Sequence, residues 1–187
     1  MLVSSESRDR MITAATLLLA RDGLEGTSFS TVLAESGAPR GSIYHHFPEG
    51  KDQLVREAVE EVGRRFVTYL DSLAPATPRD AVIEVTAVWR SVLESSRVTS
   101  GCAIAAVAVA GDTGPRAATG AVFIAWQASI SALLQRSGLN RPTSDAIAPM
   151  MIASIEGALV MSRAQGSLKP FDSVVAQLER LVTTESR

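Results

Sequence analysis

The sequence predicts an all-α chain of nine helices, three of them short and set close together near the N-terminus. Two observations carry this reading. Apolar residues recur at three- and four-residue intervals in nearly every segment, and the alternating β-branched stretches that would mark strands are almost absent.

The first helix is expected from about Ser7 to Arg21, where Met11, Ile12, Ala15, Leu18 and Leu19 form one stripe before Asp22-Gly23 stops it. Thr27 or Ser28 caps a short second helix holding Phe29, Val32 and Leu33, closed by Ser36-Gly37. Pro39 and Arg40 open a third through Ser42, Ile43, Tyr44 and His45, which ends near Phe47-Pro48. The fourth is long, Lys51 to Leu73, with a stripe of Leu54, Val55, Ala58, Val62, Phe66, Tyr69, Leu70 and Leu73. Pro75, Thr77 and Pro78 break the chain before a fifth helix, Arg79 to Ser96, carrying Val82, Val85, Trp89, Val92 and Leu93. The sixth, Cys102 to Ala110, is apolar throughout and expected to lie fully buried.

Gly111 to Gly114 reads as a turn, and Pro115 suits the first position of a seventh helix. That helix carries Val122, Phe123, Trp126, Ile130, Leu133 and Leu134 to about Ser137, with Gly138 fitted to its C-terminal cap. The eighth is expected from Thr143 or Ser144 to Gln165, with Pro149 kinking it or marking its true start. The ninth opens at Pro170 and bears Phe171, Val174, Val175, Leu178, Leu181 and Val182.

Composition narrows the class. At 187 residues and 46% apolar, the chain has material for a core and needs no staple. Its one cysteine, Cys102, cannot form an internal disulfide; with no secretory leader at the start, a reducing, cytoplasmic setting is expected. The longest unbroken apolar run, Cys102 to Ala110, is nine residues, far short of the roughly 20 a membrane helix needs, so no membrane partner is expected. Lys plus Arg is 18 against 20 for Asp plus Glu, and residues 1 to 66 hold eight basic and ten acidic side chains. Net charge therefore argues mildly against nucleic acid, and a DNA-binding case must rest on where charges are placed.

Placement favours it. Two short helices joined by Ser36-Gly37-Ala38 have the layout of a helix-turn-helix, the glycine permitting a tight turn between crossed helices. Leu33 and Ile43 are expected to pack between them, turning Arg40, Ser42, Tyr44 and His45 outward. Short polar residues and an arginine at the start of the second helix suit the major groove, where arginine can bond two guanine acceptors at once. Tyr44 can donate its hydroxyl to a phosphate, and Thr27, Ser28 and Lys51 stand at helix N-termini, which favour anions.

The run Thr27-Ser28-Phe29, Val32-Leu33-Ala34, Ser36-Gly37-Ala38-Pro39-Arg40-Gly41-Ser42-Ile43-Tyr44-His45-His46-Phe47, with Lys51 and Leu54 after it, closely resembles the TetR family signature. The resemblance spans residues 8 to about 60 and implies nine helices and a homodimer built mainly on the last two. It also implies an effector cavity in the C-terminal helices, coupled to the DNA-binding heads. Two features are similar to the LmrA/YxaF branch: Phe47-Pro48-Glu49-Gly50-Lys51-Asp52-Gln53-Leu54, one residue longer than the usual connection, and Gly101-Cys102-Ala103-Ile104-Ala105-Ala106-Val107-Ala108 with Glu156-Gly157-Ala158-Leu159 later. By position, base reading is implied for Arg40, Gly41 and Ser42, and phosphate contact for Thr27, Tyr44, His46 and Lys51, with His45 at the groove edge. The implied division is a helix-turn-helix DNA-binding domain over residues 1–50 and a ligand-binding and dimerisation domain over 51–187.

Each residue also has a plainer reading. His45 and His46 point about 100° apart on one helix and are the chain's only histidines, so no metal or other cofactor is expected. Tyr44 could be a half-buried packing residue, and Cys102 in its apolar helix reads as inert. Phe66, Trp89, Phe123, Trp126, Met150, Met151 and Ile155 could line a pocket or fill the core; Glu156 could face a cavity, a dimer face or a helix cap. The nucleophile elbow, zinc-protease motif, P-loop and dinucleotide fingerprint are all absent, so an enzyme is not expected. The expected function is ligand-responsive repression: a dimer on a palindromic double-stranded operator, released by a small, apolar or aromatic effector. The alternative is a ligand-binding or interaction module of the same fold without operator binding, which the neutral front end favours.

Overall fold

The computed structural model describes residues 2–110 and 114–185. Among them are nine α-helices and no strand: α1 (Leu2–Gly26), α2 (Phe29–Ser36), α3 (Arg40–His46), α4 (Lys51–Ser72), α5 (Pro78–Ser95), α6 (Ala103–Ala108), α7 (Arg116–Arg136), α8 (Arg141–Gln165) and α9 (Lys169–Glu185). They form two compact units. The first holds α1, α2, α3, α4 as far as Arg64, α6, and α7 as far as Val122; the second holds the remainder of α4 and α7 with α5, α8 and α9.

In the first unit, Met11, Ile12, Ala15, Leu18 and Leu19 on α1 are all at most 6% exposed, the stripe that the sequence spacing demands, and Ala14 joins them. The regular helix stops at Gly23, whose φ of 75° and ψ of −173° lie outside the helical region, as Asp22-Gly23 suggested. It begins earlier than expected, at Leu2, because Ser4, Ser5 and Glu6 interrupt the apolar period before Ser7. Helix α6 packs on α1, and its Ile104 and Val107 are fully buried. It is shorter than expected and not wholly enclosed: Val109, just past its end, is 82% exposed. Gly63 on α4 meets α7 so closely that an added Cβ would lie 2.7 Å from a Val122 methyl.

In the second unit, α9 lays Phe171, Val175, Leu178 and Val182 against α5 and α8. Arg79 pairs with Glu179 at 2.9 Å and Arg90 with Asp172 at 2.6 Å along the rim of the α5–α9 contact. Helix α8 starts at Arg141, capped by the Asn140 side chain, which accepts from the Thr143 N–H at 3.0 Å. Pro142 supplies the early-helix proline, and Pro149 sits inside the helix on its exposed side. Pro115 precedes α7 without entering it; residues 111–113 of the expected turn lie outside the described residues.

Helices α7 and α8 are long and apolar enough by length and composition to cross a membrane, with mean hydropathies of 1.5 and 1.3. Each instead contributes buried residues to this helical packing, Trp126 and Ile130 from one, Met151 and Ile155 from the other.

Helix α5 closes in a turn where two non-glycine residues, Arg97 (φ 51°) and Val98 (φ 64°), hold left-handed backbone. The Val98 N–H donates to Leu93 O at 2.7 Å and the Arg97 N–H to Glu94 O at 3.1 Å, a Schellman closure usually made with glycine.

Candidate nucleic-acid interface

The geometry starts with the joint between α2 and α3. Ser28 caps α2: its hydroxyl accepts from the Thr31 N–H at 3.2 Å, and Thr31 returns the bond by accepting from the Ser28 N–H at 2.8 Å. Gly37, at φ 63°, ends α2 by donating its N–H to Leu33 O. Its left-handed backbone is the reason for a glycine in Ser36-Gly37-Ala38. Val32 and Ile43 are the fully buried pair, whereas Leu33, expected in that role, is only half-buried.

With Ile43 turned inward, the rest of α3 faces out. Arg40, Gly41, Tyr44 and His45 are exposed and Ser42 is half-exposed, its hydroxyl donating to Pro39 O at 2.7 Å. Arg40 makes no ion pair or hydrogen bond among the described residues, so its guanidinium is available. Tyr44 is 69% exposed, yet its ring stands edge-on to Phe29 at 5.5 Å, joining α2 to α3. Tyr44 is therefore not the half-buried packing residue of the plainer reading, although one edge contact ties its ring to α2. Phe29, which the sequence marks only as a helix residue, is thus an aromatic spaced to reach the next helix.

Besides Tyr44, phosphate contact is expected at Thr27, His46 and Lys51, with Ser28 at a helix N-terminus, and their settings differ. Thr27 is fully buried and donates its hydroxyl to Gly23 O at 2.8 Å, so its side chain closes the corner after α1 and has no face to offer a phosphate. Ser28 is half-exposed at the start of α2. Lys51 donates from Nζ to Leu24 O at 2.7 Å, tying the start of α4 to the same corner and leaving two of its three N–H donors for other partners. His46 is half-buried; desolvation, then the neighbouring His45 and Arg8, lowers its imidazole below the ordinary 6.5.

The connection to α4 is braced by Gln53, which accepts from the Glu49 N–H at 3.0 Å and donates to His46 O at 3.4 Å and to Glu57 at 2.9 Å. Glu57 in turn pairs with Arg8 of α1 at 2.7 Å. No group of three or more metal-ligating side chains occurs among the described residues.

The residues considered for effector contact gather in the second unit. Phe66 lies 5.0 Å from Trp89 and 4.7 Å from Trp126 by ring centroid, and Phe123 stands edge-on to Trp126 at 5.9 Å. Phe66, Trp89 and Trp126 are at most 6% exposed, and Met151 and Ile155 of α8 are fully buried. Tyr69, which sequence reasoning treated as part of a stripe, joins this cluster 6.4 Å from Phe66.

Comparison with known proteins agrees with this geometry. Residues 11–58 match the family described as bacterial regulatory proteins, tetR family, and residues 78–177 match the C-terminal domain of LmrA/YxaF-like transcriptional regulators. An uncharacterised helix-turn-helix-type transcriptional regulator of Mycobacterium tuberculosis is 35% identical over 95% of both chains. The regulator LmrA of Bacillus subtilis is 49% identical over 57 residues, 30% of each chain. Among solved structures, a TetR transcriptional regulator from Chloroflexus aurantiacus is 30% identical, with a TM-score of 0.76 covering 99% of this chain and 98% of its own. Regulatory protein TetR from Rhodobacter sphaeroides superposes with a TM-score of 0.80 over 93% and 97% of the two chains at 22% identity. The family and these relatives are regulators of transcription, not enzymes. The chain is a member of the TetR family of bacterial transcriptional regulators, in its LmrA/YxaF-like branch.

Proposed function

We propose that this regulator is a repressor that grips a palindromic operator as a homodimer and lets go when a small effector binds. The observation that carries the reading is the outward face of α3, where Arg40, Gly41, Ser42, Tyr44 and His45 are presented over a buried Ile43. In this reading Arg40, Gly41 and Ser42 meet base edges. Ser28, Tyr44, His46 and Lys51 hold the backbone on either side, with His45 at the groove edge. Residues 1–50 dock and residues 51–187 sense and dimerise, in the cytoplasm where the DNA is.

Dimerisation through α8 and α9 is supported by apolar surface on α8, where Met150, Met161 and Val160 are 40%, 45% and 69% exposed. Two heads about 34–36 Å apart would enter successive major grooves. The effector, aromatic or apolar, would occupy the region of Phe66, Trp89, Phe123, Trp126, Met151 and Ile155. By preferring one arrangement of the dimer it would shift the population away from the DNA-bound form.

The test is selection of genomic fragments at physiological salt, followed by mobility shifts on the enriched site. Arg40→Ala should cost about 1–3 kcal/mol per guanine contact and relax preference at that base. Unchanged preference in that variant would remove Arg40 from base reading. The second reading, a module without operator binding, is favoured by the net charge of −2 over residues 1–66, eight basic side chains against ten acidic. Absence of any enriched palindrome would decide for it.

A further inference from the structure

One buried polar atom in the second unit bears on the chemical class of the effector. Glu84 sits on α5, and its Oε2 is shielded from solvent with no hydrogen-bond partner among the described residues. A carboxylate oxygen in that state is costly, and it is stabilised by a partner that brings positive charge or a donor. The backbone carbonyl of Glu84 accepts the Tyr69 hydroxyl at 2.9 Å. Burial, and secondarily the Glu84 charge, pushes the Tyr69 phenol up, so the carboxylate lies within electrostatic reach of that ring. From Tyr69 the aromatic contacts continue to Phe66 at 6.4 Å, and from Phe66 to Trp89 and Trp126.

An acid lacking a counter-charge thus stands at one end of a run of aromatic rings, whose π faces themselves attract cations. We propose that the effector is a flat aromatic cation, its charge set against Glu84 and its ring system against Phe66, Trp89 and Trp126. The proposal rests on the reading of this cluster as the effector site. A neutral aromatic could stack on the same rings but would leave the Glu84 oxygen without a partner. A cation with no ring system would forgo the aromatic contacts.

The chain's two tryptophans, Trp89 and Trp126, both belong to the cluster, so intrinsic tryptophan emission reports on this site without a label. The full-length protein is titrated with 5-methylphenanthridinium and, separately, with phenanthridine, the same tricycle without the fixed charge. The expected result is saturable quenching by the cation with a Kd about ten-fold lower than that of the neutral compound, the size of one desolvated charge contact. Glu84→Gln, which keeps the shape, should erase that preference and leave the phenanthridine Kd unchanged.

Equal affinities in the wild-type protein, or a cation preference that survives Glu84→Gln, would overturn the proposal. If phenanthridine quenches and the cation does not, the cluster remains an effector site and only the charge assignment falls. If neither quenches, both readings fall. A circular-dichroism melt checks that Glu84→Gln folds; should it not, the comparison of the two probes on the wild-type protein decides alone.

Discussion

Replacing Gly63 with alanine should destabilise the protein, against the usual direction of a glycine-to-alanine change inside a helix. An alanine Cβ at this position would lie 2.7 and 2.9 Å from the two methyls of Val122 and 3.3 Å from its Cβ. Carbon atoms in contact rest about 3.5–4.0 Å apart, so something must move by close to an ångström. Val122 has little room to yield: it is 7% exposed, and a β-branched side chain in a helix is held to one dominant rotamer. Overpacking of this kind costs about 1–3 kcal/mol, while removing glycine from a helix interior returns about 0.8–1.0 kcal/mol. The net expectation is a loss of up to about 2 kcal/mol. Gly120 on α7, where an added Cβ meets nothing within 4 Å, supplies the control and should gain up to about 1 kcal/mol as alanine. Urea unfolding at fixed protein concentration measures both, and Gly63→Ala combined with Val122→Ala should recover part of the loss. A Gly63→Ala protein as much stabilised as Gly120→Ala would refute the reasoning.

Three further outcomes are expected. Thr27→Val should lower stability by about 1 kcal/mol through loss of the bond to Gly23 O, with operator affinity of the folded protein unchanged; a selective loss of affinity would return Thr27 to the phosphates. Arg97→Gly should raise stability, because the left-handed backbone costs an L-residue about 1–2 kcal/mol and glycine's added freedom in the unfolded chain offsets only part of that; a fall in melting temperature would contradict it. For His46, the lowered folded value means that the unfolded chain binds its proton at higher pH. Its contribution is therefore complete above about pH 6.5 and is lost as pH falls through the lower folded value. His46→Gln should flatten the pH dependence of unfolding in that window. If His46 meets a phosphate, operator binding should be accompanied by proton uptake over the same range, which calorimetry in buffers of different ionisation enthalpy detects.

What the sequence disclosed and withheld follows from the range of the interactions concerned. Apolar spacing located the longer helices because burial of a stripe is a property of neighbours three and four residues apart, as in Met11, Ala15 and Leu18. Caps were legible where one side chain acts within four residues, as at Ser28 and Gly37, yet Asn140 was passed over for the more conspicuous Thr143 and Pro149. The outward face of α3 was readable because Ile43 is the one large apolar residue between Arg40 and His46.

Long-range partners were not legible. Nothing local says that Lys51 reaches Leu24 O, 27 residues away, or that Thr27 turns inward onto Gly23 while Ser28 beside it stays half-exposed. Glu84 escaped notice for the same reason, since what distinguishes it is the absence of a donor near Oε2, a fact about folded neighbours.

The edge contact between Phe29 and Tyr44 has a consequence for how tightly α3 can hold a target. A side chain that swings freely in the unbound protein must surrender that motion on docking, and the penalty is subtracted from affinity. Here folding has already restricted the Tyr44 ring by setting it against Phe29, while leaving it 69% exposed. If Tyr44 meets the operator as proposed, it does so already pre-organised, and a head with no surplus of positive charge would then gain from rigid shape what it lacks in electrostatic attraction.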